Sequence, residues 1–197
     1  MHRTDHLGST LAKLRSRLRA TEASSLVEFA IALPLLVVLV VGIFDFGGAF
    51  NQKQEMSNAV REGARFGASQ PANDLCTSGC PAPPSVDAIR FLVDSYLQAA
   101  KIDDCGLSTA AVPTSGPPWA YTSTGSCPGS LTLTIDRGAT VFVSEVIGAN
   151  TINLLATQVT ISYPYRWHFN NVIQLVAPGA NYSGVYIATS AAALNTN

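Results

Sequence analysis

Residues 29–44 read FAIALPLLVVLVVGIF, sixteen positions without a charged side chain. From Asp45 to Ser69 the pattern changes to that of an amphipathic helix. Met56, Val60, Gly63 and Gly67 share one face there, with Ala59 and Phe66 beside it. Gln52, Lys53, Gln54 and Glu55 mark where the helix emerges into water. Residues 70–84, QPANDLCTSGCPAPP, break the pattern with Pro, Gly and Cys. A second helix is expected over 85–101, with Ser85 as N-cap, Asp87 in an acidic first turn, and Ile89, Leu92, Val93, Tyr96 and Leu97 as its apolar stripe. Residues 102–130 read as loop, punctuated by Pro113, Pro117, Pro118 and Pro128. Period-two alternation then predicts strands at 131–135, 141–146 and 158–163, the last stopped by Pro164. A short segment lies near 172–176, and a final strand is expected over 184–191. The fold expected is α+β. A long N-terminal helix forms a stalk, and a second helix and an antiparallel sheet of three or four strands form a head packed on it.

Length decides what the apolar run can do. Sixteen helical residues cover roughly 24 Å, short of a hydrocarbon core of about 30 Å. Starting at Ala23 gives roughly 33 Å, enough to cross. Glu28 then lies at or just under the headgroup boundary. An unpaired carboxylate at the bilayer centre costs about 2.5–3.5 kcal/mol on insertion scales and less near the interface, so Glu28 needs a partner. Pro34 removes a backbone donor inside the same helix and predicts a kink; neighbouring helices compensate such a defect in a membrane.

Charge sets the orientation. Arg3, Lys13, Arg15, Arg17 and Arg19 precede the run, against only Asp5 and Glu22. The positive-inside rule places residues 1–22 in the cytoplasm and the chain beyond about residue 45 outside. Charged residues are only 13% of the chain and hydrophobic ones 47%, where an ordinary globular domain carries about 25% charge. That suits an anchored or assembling protein. No basic stripe with interleaved aromatics is present, so nucleic acid is not an expected partner.

The ordered combination of a basic leader, Ser24-Ser25-Leu26-Val27-Glu28-Phe29, Ala30, Ala32, Leu33-Pro34, and Ala59-Val60-Arg61-Glu62-Gly63-Ala64-Arg65 resembles the TadE-like pseudopilins of the tight-adherence (Tad, or Flp) pilus system. The resemblance is strong over residues 20–69 and weaker beyond, where Val159–Tyr165 is similar to the family's C-terminal strand and turn. It implies cleavage by a prepilin peptidase between Ala23 and Ser24, leaving the glutamate fifth in the mature chain. Ala23 stands where that pattern commonly has glycine. It further implies a minor pseudopilin-like role in pilus assembly, with partners among the bilayer, the peptidase, other pilins and assembly proteins. The location would be the bacterial cytoplasmic membrane, in a single pass. The domains expected are a cytoplasmic leader (1–23), a membrane and stalk helix (24–69) and an exterior head (70–197). Cleavage would remove the leader cations and create an amine on Ser24, four residues from Glu28 and within reach of it on a helix. A neighbouring subunit's amine can serve equally, and the resemblance favours that version. Ala59, Gly63 and Gly67 form a small-residue ladder that would let another backbone approach.

Cys76, Cys80, Cys105 and Cys127 all follow the apolar run, in the disulfide-permissive compartment. Four cysteines allow three connectivities. The favoured one is Cys76–Cys80 with Cys105–Cys127, each closing a local loop. Only one pair is closely spaced, so a zinc site is not expected, and no cofactor is. His168 is the single histidine after residue 6. It sits in Tyr165-Arg166-Trp167-His168-Phe169, which reads as a packed aromatic corner, and no catalytic motif accompanies it. Asn181-Tyr182-Ser183 matches a glycosylation sequon, of little weight in a bacterial family. Two rival readings remain. One is a single-pass membrane protein with an adhesive or sensory exterior domain. The other is a secreted enzyme released after Gly47-Gly48-Ala49.

Overall fold

The computed structural model describes residues 5–76, 78–147, 150–168, Gln174, Gly179 and 184–196. Side-chain surroundings are described outside 5–23 and 140–154. Helix α1 spans Asp5–Ser69 and α2 spans Pro84–Ala99, followed by a 3₁₀ turn at Leu107–Thr109. Four strands follow: β1 Trp119–Ser123, β2 Leu131–Ile147, β3 Asn150–Pro164 and β4 Tyr186–Leu194. Neighbouring strands pair antiparallel in the order β1-β2-β3-β4, a meander. The architecture is α+β, with a long apolar N-terminal helix, a second helix and a four-stranded antiparallel sheet.

The chain divides into two compact units. One comprises the described parts of Met1–Asp45 and His168–Ala180; the other comprises Phe46–Trp167 and the described part of Asn181–Asn197. The second unit is the head, and it contains the last part of α1. Its core joins Met56 and Val60 of α1, Val86, Ile89, Val93 and Leu97 of α2, and the inward residues of the sheet. Strand register sets those inward residues in rows. Tyr121, Leu133 and Ile161 are cross-strand partners, and so are Trp119, Ile135 and Val159. All six are buried. Each buried Leu, Ile or Val contributes about 1.5–3 kcal/mol relative to exposure, so these rows and α2 carry most of the head's stability. The opposite face bears Thr132, Thr134, Thr160 and Ser162, as period two requires.

Several sequence expectations are corrected. Helix α1 begins at Asp5, so the leader continues the helix. Helix α2 begins one residue early, with Pro84 in its first turn and Pro83 at the cap position, where no side chain caps it. Proline suits that place because the first helical N–H has no intrahelical acceptor. Ser85 is not the cap; its backbone N–H donates to Asp74 Oδ2 at 3.2 Å, so a carboxylate from the preceding loop does the capping. The buried stripe of α2 runs through Val86, Ile89, Val93 and Leu97, while Tyr96 is exposed.

Residues 119–123 form an edge strand where loop was expected, because Trp119 and Tyr121 alternate into the core. The segments expected as separate strands at 131–135 and 141–146 are one strand. The pairing slips between Asp136 and Ala139 and again between Val141 and Glu145. Asp136-Arg137-Gly138 forms a bulge, in which the Gly138 N–H donates to Asp136 Oδ1 at 2.9 Å. The final strand is Tyr186–Leu194, shifted towards the C-terminus. The segment near 172–176 and the Asn181-Tyr182-Ser183 triplet fall largely outside the described residues.

Candidate functional site

The candidate residues lie in three separate places. The first is the apolar part of α1. Ser24 and Glu28 are exposed, four residues apart on a continuous helix. Around them Leu26, Phe29, Ile31 and Leu35 are 63–74% exposed. A core helix of a water-soluble domain would bury such side chains. Helix α1 from Ser24 is long and apolar enough to cross a membrane. It runs through Pro34 without interruption. Ala23 belongs to the same helix. Beyond the apolar run Asp45 is buried, with Oδ1 at 3.4 Å from His168 Nδ1. His168 itself is largely exposed, so the aromatic corner consists of its neighbours Tyr165 and Trp167, whose rings meet edge-to-face at 4.7 Å.

The second place is the small-residue ladder. Ala59, Gly63 and Gly67 are all buried in the head. A Cβ on Gly63 would meet Val93 Cγ2 at 2.8 Å, and one on Gly67 would meet Ile89 Cδ1 and Thr157 Cγ2, each at 2.6 Å. In this chain side chains of α2 and β3 lie against the ladder.

The third place is the loop region of the head. The structure joins Cys76 to Cys80 and Cys105 to Cys127, with Cα separations of 6.5 and 5.3 Å. Cys105 is buried, its N–H donates to Asp103 Oδ1 at 2.9 Å, and its carbonyl accepts from Ser123 Oγ. Asp103 lies beside the Cys105–Cys127 sulfurs. Those sulfurs are bonded to each other, so one carboxylate is left and the donor set does not fit a metal.

Two buried polar clusters had no sequence signal. Arg137, at the β2 bulge, donates to the carbonyls of Gln70 (2.7 Å) and Pro71 (3.2 Å) and to Ser85 Oγ (2.6 Å). Its guanidinium is also 3.6 Å from Asp74. One side chain thus ties the exit of α1, the following loop and the start of α2 to the sheet. Burial pulls its pKa down, and Asp74 opposes that. The bulge frees the Arg137 carbonyl to accept from Asn195 Nδ2 at 3.0 Å.

The other cluster surrounds α2. Arg90 pairs with Asp87 at 2.8 Å and donates to the carbonyls of Leu107 and Ser108, fixing the 3₁₀ turn. Asp94 accepts from Gln98 Nε2 at 2.9 Å. Burial, then the hydrogen bond and charge of Asp104, push the Asp94 carboxyl up to about 6. Burial would raise Asp104 too, but hydrogen bonds from the Gly106 N–H, Asp94 and Gln98 hold it below the usual range. The hydrogen bond between the two carboxyls raises Asp94 and lowers Asp104.

These features define a class: an α+β head on a chain whose N-terminal helix carries an exposed apolar surface of membrane-crossing length. Within it, residues 23–65 match the family model described as TadE-like protein. The matched segment begins at Ala23, contains Glu28 and Pro34, and ends two residues before Gly67; it covers about a fifth of the chain. Comparison with curated proteins and with solved structures gives no match.

Proposed function

We propose that this chain is a membrane-anchored, minor pseudopilin-like protein acting in assembly of a Tad-type pilus or a related secretion system. One observation carries the reading: the segment matching the TadE-like family holds a carboxylate, Glu28, on a helix whose large aliphatic side chains are exposed. Exposed aliphatics need lipid or other helices around them, and a carboxylate among them needs a cation. Cleavage between Ala23 and Ser24 by a prepilin peptidase provides one. The new α-amine has a reference pKa near 7.7–8.0 and is substantially charged at neutral pH. Paired with Glu28 across subunits, it turns an unpaired charge in low dielectric into a docking contact. The basic leader supports a cytoplasmic N-terminus, and two disulfides support a head outside the cytoplasm. The work of such a protein is recognition by packing. Because Gly63 and Gly67 are filled by the chain's own head, the surface offered to other pilins is the apolar segment from Ser24 to Phe44.

The N-terminal residue of the membrane-fraction protein tests this directly. Ser24 is expected; an intact leader would instead leave a plain anchor with an adhesive or sensory exterior domain. Glu28→Gln is expected to insert normally but to assemble poorly. A variant that assembles at the native level removes the docking role.

A further inference from the structure

The head carries an apolar groove that the assembly reading leaves unused. Phe46 and Phe50, four residues apart on α1, are 55% and 67% exposed and share a face. They line the groove together with Trp167, Tyr186, Ile187 and Lys53. Trp167 meets Phe46 edge-to-face at 5.2 Å and also contacts the Tyr165 ring. The groove encloses about 250 Å³, less than the roughly 300–1,000 Å³ of a small-molecule site. Among the described residues Lys53 is the one charged residue lining it, and it stands two helical turns, roughly 10 Å, beyond Phe46.

We propose that this groove seats a membrane phospholipid, with an acyl chain against the Phe46, Phe50 and Trp167 rings and the phosphate on the Lys53 ammonium. Phe46 follows the apolar run after a single residue, Asp45, so the groove's first ring is next to that run in sequence. Tryptophan and tyrosine concentrate at the headgroup level because their rings suit the acyl boundary and their N–H and O–H suit water, and Trp167 and Tyr186 both line this groove. A lysine one or two turns further out reaches a phosphate while its methylenes cover apolar surface. A lone cation at the end of an apolar channel complements a lipid, which joins one anionic head to an aliphatic tail. The inference rests on the apolar run crossing a bilayer.

The chain has two tryptophans, and Trp119 is buried in the core. The full-length protein carrying Trp119→Phe, reconstituted in phosphatidylglycerol vesicles, therefore reports on Trp167 alone. Phosphatidylcholine spin-labelled at carbon 5 of the acyl chain is expected to quench its fluorescence at least twofold. Phe46→Ser with Phe50→Ser, and separately Lys53→Glu, are each expected to halve that quenching; these side chains are exposed, and an unchanged circular dichroism spectrum verifies the fold. An unquenched Trp167 in the native groove overturns the proposal and points to a second copy or another protein there. Quenching unaffected by both variants overturns it as well, since nearness to the bilayer alone would then explain the signal. A chain that fails to float with the vesicles overturns the membrane reading beneath it.

Discussion

Two stretches of one helix meet different fates. From Ser24 to Phe44, α1 carries large aliphatic side chains that are exposed. From Phe46 to Ser69 it turns small residues, Ala59, Gly63, Ala64, Gly67 and Ala68, into the head, and these are covered. Apolar character is common to both, so hydrophobicity alone does not separate an outward surface from a core. Small residues mark the closest approaches in the second stretch, beside the buried Met56 and Val60. Small residues let α2 and β3 approach the helix and exclude water locally, whereas rows of Leu, Val and Ile hold neighbours further away and suit lipid or the helices of other subunits.

The sharpest ways to break this contrast begin with the head. Removing the Cys105–Cys127 bridge by double Cys→Ser substitution opens a loop with a sequence separation of 22, which is expected to cost about 3 kcal/mol. Urea unfolding of the detergent-solubilised chain measures the loss. Gly67→Val comes next, at about 2–3 kcal/mol, because Ile89 and Thr157 already occupy the space its side chain needs. Leu35→Val, an equally modest change in the outward stretch, is expected to leave head unfolding unaltered. If both changes cost the head equally, the distinction between the two stretches fails.

A pH effect of intermediate size follows from Asp94. Its folded-state pKa of about 6 lies above its ordinary value of 3.8. Its contribution is therefore fully present below about pH 4 and is lost as pH rises through 6. Asp104, shifted the other way, loses its contribution only as pH falls below the ordinary carboxylate range. Head stability is thus expected to decline between about pH 4 and 7, and Asp94→Asn is expected to flatten that slope in urea midpoints taken across the range. The smallest effect belongs to Arg65→Ala. Its contact with Glu62 spans 3.9 Å with both groups solvated, and such pairs contribute under about 0.5 kcal/mol. A larger shift in the same unfolding assay would mean that this face is covered by something else.

Much of the architecture was legible because it follows from local rules. The apolar run, the buried face through Met56, Val60, Gly63 and Gly67, and the strand ending at Pro164 each follow from a period or a missing N–H. Strand β1 was hidden by its setting: six residues between Pro117-Pro118 and Gly125 leave little room for alternation, though Trp119 and Tyr121 two apart are a usable signal. The break expected between 131–135 and 141–146 is a bulge at Asp136-Arg137-Gly138, and only pairing with β3 shows that the strand continues through it. Ser85 looked like a cap since serine next to an acidic turn usually is one; Asp74, eleven residues away, took that place.

The sequence by itself determined an apolar helix of membrane-crossing length with one carboxylate in its first turns, a class of fold, and the family resemblance of residues 23–65. Each of these depends on neighbours within a few turns of chain. Only the tertiary structure decided that the glycine ladder is filled by α2 and β3, that Arg137 binds two helix ends to the sheet, and that Phe46, Phe50, Trp167 and Lys53 line one groove. Those depend on contacts between residues dozens to more than a hundred positions apart, which strand register and helix packing bring together and which no local period encodes.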